Sequence, residues 1–154
     1  MTVRGNKLNV RWMLQRDVKY IVNIENLSFE HPWCEEDFLE QLRCCNCIGM
    51  ICENGSRDLV GFMIYELHTD KLKILNFAVH PDHRRKGVGL VMMNRIMGKL
   101  LNKRRTIVVT VRETNLNFQL FLRELRFLAT KVHKGFYEGC DGYEFEFFEH
   151  INDK

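Results

Sequence analysis

Apolar and polar residues alternate through Leu8, Val10, Trp12 and Leu14, the period of a half-buried strand. From Asp17, the expected helix start, the period lengthens, and Val18, Ile21, Val22 and Ile24 share one helical face up to about Leu27. Phe29-Glu30-His31-Pro32-Trp33 breaks that pattern. A second helix is expected just after Pro32, with Glu35, Glu36 and Asp37 in its first turn, where the dipole favours acids, and a stripe of Phe38, Leu39 and Leu42. Residues 46–53 and 58–67 read as two strands around Glu53-Asn54-Gly55-Ser56, since Asn-Gly between apolar runs signals a hairpin. A turn at His68-Thr69-Asp70 leads into the strand Leu72–His80. After Pro81-Asp82-His83 and the run Arg84-Arg85-Lys86-Gly87-Val88-Gly89, Val88, Met92, Ile96 and Leu100 recur at helical spacing, with Met93, Met97 and Leu101 beside them. Thr106–Val111 is almost continuously β-branched, as in a central strand buried on both faces. Asn115 caps a helix to about Leu125, and Phe127–Tyr137 and Tyr143–Phe148 close the chain as strands. The order is β-α-α-β-β-β-α-β-α-β-β, an α/β chain with a mixed sheet and helices on both faces.

Length and composition narrow the reading. A chain of 154 residues is expected to form a single domain over 1–154. Its net charge of +3 is too mild to argue for nucleic acid, and the aromatics are not interleaved with basic residues. No apolar run is long enough to span a membrane, and Met1-Thr2-Val3-Arg4-Gly5-Asn6 lacks the apolar core of a signal peptide. A cytoplasmic location is therefore expected, with the six cysteines as reduced thiols. Cys44-Cys45-Asn46-Cys47, with Cys52 following, offers one C-x2-C spacing without a second ligand pair, so no metal is expected.

The stretch 72–101 carries the chemistry. A strand, a basic turn with Gly87 and Gly89, and a helix follow one another. The first N–H groups of a helix have no internal partner, and the dipole adds positive potential there, so this order makes an anion site. The competing reading is an ordinary turn on a basic surface. No Gly-Lys-Ser/Thr follows, so it is not a phosphate loop of that kind, and a dinucleotide fingerprint lacks its third Gly and its later acid.

Arg84-x-x-Gly87-x-Gly89 matches the R/Q-x-x-G-x-G/A coenzyme motif, and with the element order it resembles the GNAT family of acetyl-CoA-dependent N-acetyltransferases. Within that family the chain is similar to the RimI type, which acetylates the N-terminal amine of a ribosomal protein. Four pieces carry this: Ile24-Glu25, Phe29 and Pro32-Trp33 (I-E…F..P-W); Asn76-Phe77-Ala78-Val79-His80-Pro81; Val111-Arg112-Glu113-Thr114-Asn115; and the spacing from Phe127 to Phe136-Tyr137. The resemblance implies that Phe77, Ala78 and Val79 offer backbone to the pantetheine arm of acetyl-CoA. It implies that Arg84, Arg85, Lys86, Gly87, Val88 and Gly89 cradle the pyrophosphate, and that Asn115 binds the coenzyme near its thiol. Phe29, Trp33 and Tyr137 would contact the acceptor, a protein N-terminus such as that of a ribosomal protein.

The departures concern proton transfer. The family's general-base glutamate falls at Thr110, its general-acid tyrosine at Leu122, and the Gly of its G-F pair at Arg126. Glu30, His80 and Tyr143 are the candidate substitutes. An α-amine ionises near 7.7–8.0 and a lysine near 10.4, so deprotonation at pH 7 costs roughly 1.4 against roughly 4.6 kcal/mol. An N-terminal acceptor therefore tolerates loss of a dedicated base, through a water relay, far better than a lysine does. Three readings stand: an N-terminal acetyltransferase, an acetyltransferase for another amine (lysine, polyamine, antibiotic or other small molecule), and a coenzyme-binding protein without activity.

Overall fold

The computed structural model describes residues 7–149. Residues 1–6, on which the signal-peptide expectation rests, and residues 150–154 lie outside them. The elements follow the expected order: β1 Asn9–Trp12, α1 Val18–Ser28, α2 Glu35–Arg43, β2 Cys47–Glu53, β3 Leu59–Leu67, β4 Lys71–Val79, α3 Val88–Met97, β5 Thr106–Arg112, α4 Leu116–Glu124, β6 Leu128–Tyr137 and β7 Cys140–Phe148. The strands form one seven-stranded sheet in the order β1-β2-β3-β4-β5-β7-β6. It is mixed: β4 and β5 run parallel, whereas β1–β2, β2–β3, β5–β7 and β6–β7 are antiparallel.

The chain divides into two compact units. The first comprises the chain up to Glu66 together with Asn76–Lys99. Ile21 and Ile24 of α1, Phe38 of α2, Phe62 of β3 and Val88, Met92 and Ile96 of α3 are buried in it. Asp17, the expected start of α1, works differently from a cap. It ends a 3-10 turn, Gln15–Asp17, and its buried carboxylate accepts from Arg11 at 2.8 Å on both oxygens and from the Leu14 N–H at 2.7 Å. Burial opposes ionisation there, but these donors outweigh it and hold the carboxyl below its ordinary range.

Local details differ from the sequence pattern. Leu27 is 53% exposed, so the apolar face of α1 ends earlier. In α2 only Phe38 is fully buried. The β2–β3 hairpin forms as expected, with a loop running to Asp58, one residue past the expected start of the second strand. Asn54 Oδ1 accepts from Ser56 N–H and Asp58 N–H, each at 3.0 Å, and Arg57 rather than Gly55 takes the left-handed backbone, φ 63. Helix α3 stops at Met97, short of Leu101; Gly98 follows, and Asn102, at φ 57, turns the chain between Leu101 and Arg104.

The second unit comprises Leu67–Leu75 and the chain from Leu100 onwards. Ile107, Val108, Val109 and Val111 of β5 are buried, in keeping with a strand covered on both faces. Helix α4 ends in a Schellman motif: Phe127 N–H donates to Leu122 O at 2.9 Å and Arg126 N–H to Arg123 O at 3.0 Å. Leu122 and Phe127 are both buried, as the apolar pair of that motif requires. Arg126 occupies its left-handed position, φ 71, where glycine is the usual residue. An L side chain in that conformation costs roughly 1–2 kcal/mol, partly offset by the larger unfolded-state entropy of glycine. Arg126→Gly is therefore expected to stabilise the chain by about 0.5–1 kcal/mol, read as a higher urea midpoint at unchanged m-value.

Candidate active site

Strand β4 alternates a buried face of Leu72, Ile74, Asn76 and Ala78 with half-buried Leu75, Phe77 and Val79. Asn76 is a polar residue on an apolar face, and its partner is the buried carboxylate of Glu25 in the same unit. Asn76 Nδ2 donates to Glu25 Oε2 at 2.9 Å, and Trp33 N–H donates to Glu25 Oε1 at 3.1 Å. One side chain of α1 thus holds both the end of β4 and the α1–α2 loop. Burial pushes the Glu25 carboxyl up from its ordinary range, against the pull of these two donors. Trp33 packs on Phe38 with ring centroids 5.2 Å apart, and Phe38 on Phe62 at 5.5 Å. Phe29 is half-buried, whereas Glu30 is exposed.

The end of β4 feeds the basic turn. His80 caps the 3-10 turn Pro81–His83: its Nδ1 accepts from Asp82 N–H at 3.1 Å. Arg84 Nε donates to Val79 O at 3.1 Å and its Nη2 to Ser28 Oγ at 3.3 Å, bracing β4 against the end of α1. Arg84, Arg85 and Lys86 are exposed. Arg85 and Gly87 both have left-handed backbone, φ 61 and φ 84. Gly87 is the N-cap of α3, and no side chain caps the helix. Val91 N–H makes the first intrahelical bond, to Gly87 O at 3.0 Å, so the first turn at Val88, Gly89 and Leu90 presents its N–H groups outward. A Cβ on Gly87 would meet nothing within 4 Å, so this backbone is open to an approaching anion.

In the second unit, Thr110 is half-buried and Leu122 is fully buried, and neither side chain carries a carboxyl, imidazole or phenol. Asn115 caps α4, its Oδ1 accepting from Phe118 N–H at 3.3 Å, a role that leaves Nδ2 as a donor. The Tyr137 hydroxyl donates to Thr110 O at 3.1 Å, and the Arg112 guanidinium lies 4.4 Å from the Tyr137 ring centroid. Burial pushes the Tyr137 phenol up, against the pull of Arg112. Tyr143 pairs with Val111, whereas Thr110 pairs with Glu144. Successive residues of a strand face opposite sides, so Tyr143 lies on the sheet face opposite Thr110 and Glu144 on the same one. Glu144 Oε1 is 3.2 Å from His133 Nε2. Among the described residues, no three His, Cys, Asp or Glu side chains gather as metal ligands.

Glu25, Asn76, His133 and Glu144 are absent from the sequence-derived site. Glu25 and Asn76 had a signal. Each is polar where the period is apolar: Glu25 beside Ile21 and Ile24 in α1, and Asn76 in the row Leu72-Ile74-Asn76-Ala78 of β4. The His133–Glu144 pair depends on strand register, which no local pattern carries.

Replacing Glu25 by Ala leaves Trp33 N–H and the Asn76 amide without their acceptor, at about 1–3 kcal/mol each. A fall of about 2–5 kcal/mol in urea unfolding free energy is expected. Because the folded state holds the Glu25 proton more tightly than the unfolded state, its contribution to stability is lost as pH rises above the ordinary carboxylate range. Glu25→Gln removes that decline, as urea melts at about pH 4 and about pH 7 would record.

Comparison with known proteins agrees with the fold. The family model described as "Acetyltransferase (GNAT) family" matches residues 18–127. The [ribosomal protein bS18]-alanine N-acetyltransferase of Escherichia coli K12 is 24% identical over 129 residues, 83% of this chain and 86% of that protein. The solved structure of the E. coli ribosomal-protein-S18-alanine N-acetyltransferase superposes with a TM-score of 0.82 at 17% identity, covering 96% of this chain and 97% of that one. Ard1 from Thermoplasma volcanium gives 0.84 at 19% identity, covering 94% and 99%. Arabidopsis thaliana NAA60 in complex with acetyl-CoA gives 0.79 at 17% identity, covering 96% and 100%. With a seven-stranded mixed sheet, four helices and the family match over most of its length, the chain belongs to the GNAT acetyltransferase family, whose members use acetyl-CoA.

Proposed function

We propose that the protein acetylates the N-terminal α-amine of a protein acceptor by direct transfer from acetyl-CoA, with the amine proton leaving through water. The observation that carries the reading is the uncapped first turn of α3 behind Arg84-Arg85-Lys86, at the end of β4, in a chain of this family. The residues fit the donor: Gly87 has no neighbour where a Cβ would stand, and the outward N–H groups of Val88 and Gly89 suit a pyrophosphate. Acetyl-CoA supplies the activated acetyl thioester. Arg85 and Lys86 add positive charge at the turn, while Arg84 holds the turn in shape through Val79 and Ser28. Phe77, Ala78 and Val79 keep the pantetheine role, with the Val79 carbonyl already occupied by Arg84. Asn115 keeps its coenzyme role, and Phe29, Trp33 and Tyr137 the acceptor role.

The choice of an α-amine follows from Thr110 and Leu122. Without a carboxylate or phenol at those positions, the acceptor whose deprotonation costs about 1.4 rather than about 4.6 kcal/mol is favoured by a factor of several hundred. The similar E. coli enzyme acts on a ribosomal protein alanine, which makes an N-terminal segment of a ribosomal protein in the cytoplasm the first acceptor to try.

Acetyl-CoA turnover on a panel of short peptides with free N-termini, beside a polyamine and an N-blocked lysine peptide, tests this. Acetylation of at least one N-terminus, with the blocked lysine peptide slower by about 10²-fold or more, is expected. No N-terminal product, with coenzyme binding intact by calorimetry, would sink the reading. Gly87→Val forces a β-branched residue into left-handed backbone and is expected to raise KM for acetyl-CoA by about tenfold.

A further inference from the structure

We infer that Cys44 and Cys47 form a reversible thiol–disulfide pair at the junction of α2 and β2, oxidised by low-molecular-weight disulfides and reduced again by thiols. The pair lies wholly within the first unit and shares no residue with the acetyl-transfer reading. Between the two elements the chain makes one tight turn. Helix α2 ends at Arg43, Cys44 is its C-cap, and β2 begins at Cys47. Cys47 N–H donates to Cys44 O at 3.1 Å, which closes Cys44-Cys45-Asn46-Cys47 end to end. A turn of that kind holds its end Cα atoms within about 7 Å, and a disulfide spans roughly 4.4–6.8 Å between Cα atoms.

Both sulfurs rest on the last turn of α2. Cys44 Sγ donates to Glu40 O at 3.6 Å, and Cys47 Sγ to Gln41 Oε1 at 3.5 Å. The two sulfurs also meet each other. Burial pushes the Cys47 thiol up to about 11, and the charges of Cys44 and Glu66 and a hydrogen bond with the Cys44 side chain push it the same way. Cys44 is exposed and Cys47 is half-buried, so Cys44 meets a reagent first and Cys47 stands behind it. The other thiols are placed differently. Cys45 sits at a corner of the turn rather than at its ends. Cys34 is the N-cap of α2, and the nine residues of that helix put it about 13 Å away at roughly 1.5 Å per residue. Cys52 is buried further along β2. A structural zinc needs a tetrahedral ligand set, and among the described residues no three His, Cys, Asp or Glu side chains gather.

The exchange balances with the small disulfide, RSSR, as the oxidant. The Cys44 thiolate attacks one of its sulfurs, the S–S bond breaks, a bond from Cys44 to SR forms, and one RS⁻ leaves with the electron pair. Cys47 then ionises more readily, because the charge and the hydrogen bond of Cys44, two of the causes that hold its proton, are gone. Its thiolate attacks the Cys44 sulfur and expels the second RS⁻. The protein gives up two electrons and two protons, and the small disulfide takes them up as two free thiols. The fold does not stabilise the Cys47 thiolate, so the reduced pair gains nothing of that kind over the disulfide, which persists until excess thiol reverses it. The ring is short and adds little constraint to the unfolded chain. Its effect is local: it ties the end of α2 to the start of β2 and withdraws the sulfur donors from Glu40 and Gln41.

The test incubates the folded full chain with glutathione disulfide, alkylates the remaining thiols under acid quench, and maps linked peptides by mass spectrometry. The wild type is expected to lose two hydrogen atoms, with Cys44 joined to Cys47, and to recover both thiols in excess reduced glutathione. Cys47→Ser is expected to stop at the mixed disulfide on Cys44 and to hold it at least about tenfold longer than the wild type, which resolves it within the molecule. Cys44→Ser is expected to form no internal disulfide, and Cys45→Ser to behave as the wild type does. Melting curves accompany the maps, and the wild-type map decides alone where a variant fails to fold. A main product joining Cys44 or Cys47 to any other cysteine overturns the assignment. So does a wild type that stays unmodified, or a mixed disulfide on Cys44 equally long-lived in the wild type and Cys47→Ser. Acetyl transfer enters none of these readouts, so their failure leaves the N-terminal acetyltransferase reading standing.

Discussion

A carboxylate buried in a protein interior needs donors, and Glu25 has two from distant parts of the chain: Trp33 N–H and the Asn76 amide. Both donors depend on the one acceptor, because a buried amide that loses its acceptor costs about as much as the hydrogen bond is worth. This requirement organises the first unit. It sets the depth at which the α1–α2 loop crosses, which in turn seats Trp33 on Phe38 and Phe38 on Phe62. It fixes which face of β4 turns inward, and so where β4 delivers the chain to Arg84 and Gly87. Two stretches that look like separate pieces in the sequence, Ile24-Glu25 with Pro32-Trp33 and Asn76-Phe77-Ala78-Val79, are two ends of one hydrogen-bonded device.

The work of the molecule divides between features of different kinds. The open first turn of α3 is a backbone feature: uncapped N–H groups, a glycine at φ 84 and flanking charge. Such a site tolerates changes of side chain wherever the backbone conformation is kept. A role that depends on one side chain, by contrast, is lost with one substitution. Thr110 and Leu122 illustrate the contrast, since the strand and helix that bear them are intact while the chemistry expected at both positions is missing.

Periodicity revealed every α-helix and strand because burial of one face dictates it, and the β-branched run of β5 announced a strand covered on both sides. What it could not reveal were features decided by partners elsewhere along the chain. The conformation of the 54–58 loop is one such feature, because the Asn54 side chain accepts from the Ser56 and Asp58 N–H groups. Arg126 sits where glycine is expected because the two Schellman hydrogen bonds and the burial of Leu122 and Phe127 hold it there. Tyr143 was a candidate and Glu144 was not, yet a one-residue difference along β7 puts them on opposite faces, and only pairing with β5 tells which face is Thr110's. The strand, basic glycine turn and helix of 72–101 were legible because they are local: strand end, glycine and helix start are consecutive.

The outermost strand, β6, has solvent exposure along nearly all of its length, with Leu128, Val132 and Phe136 exposed at 61%, 58% and 54%. An open strand edge with apolar residues is a template on which another copy can add. Here the register with β7 is interrupted between Ala129 and Lys131 and again between His133 and Tyr137, so the free edge offers only short straight segments. Lys131 and Lys134 set like charges against any second copy that approaches along it. The charge of Lys134 thus has a consequence separate from packing: it disfavours addition of a second copy along this edge.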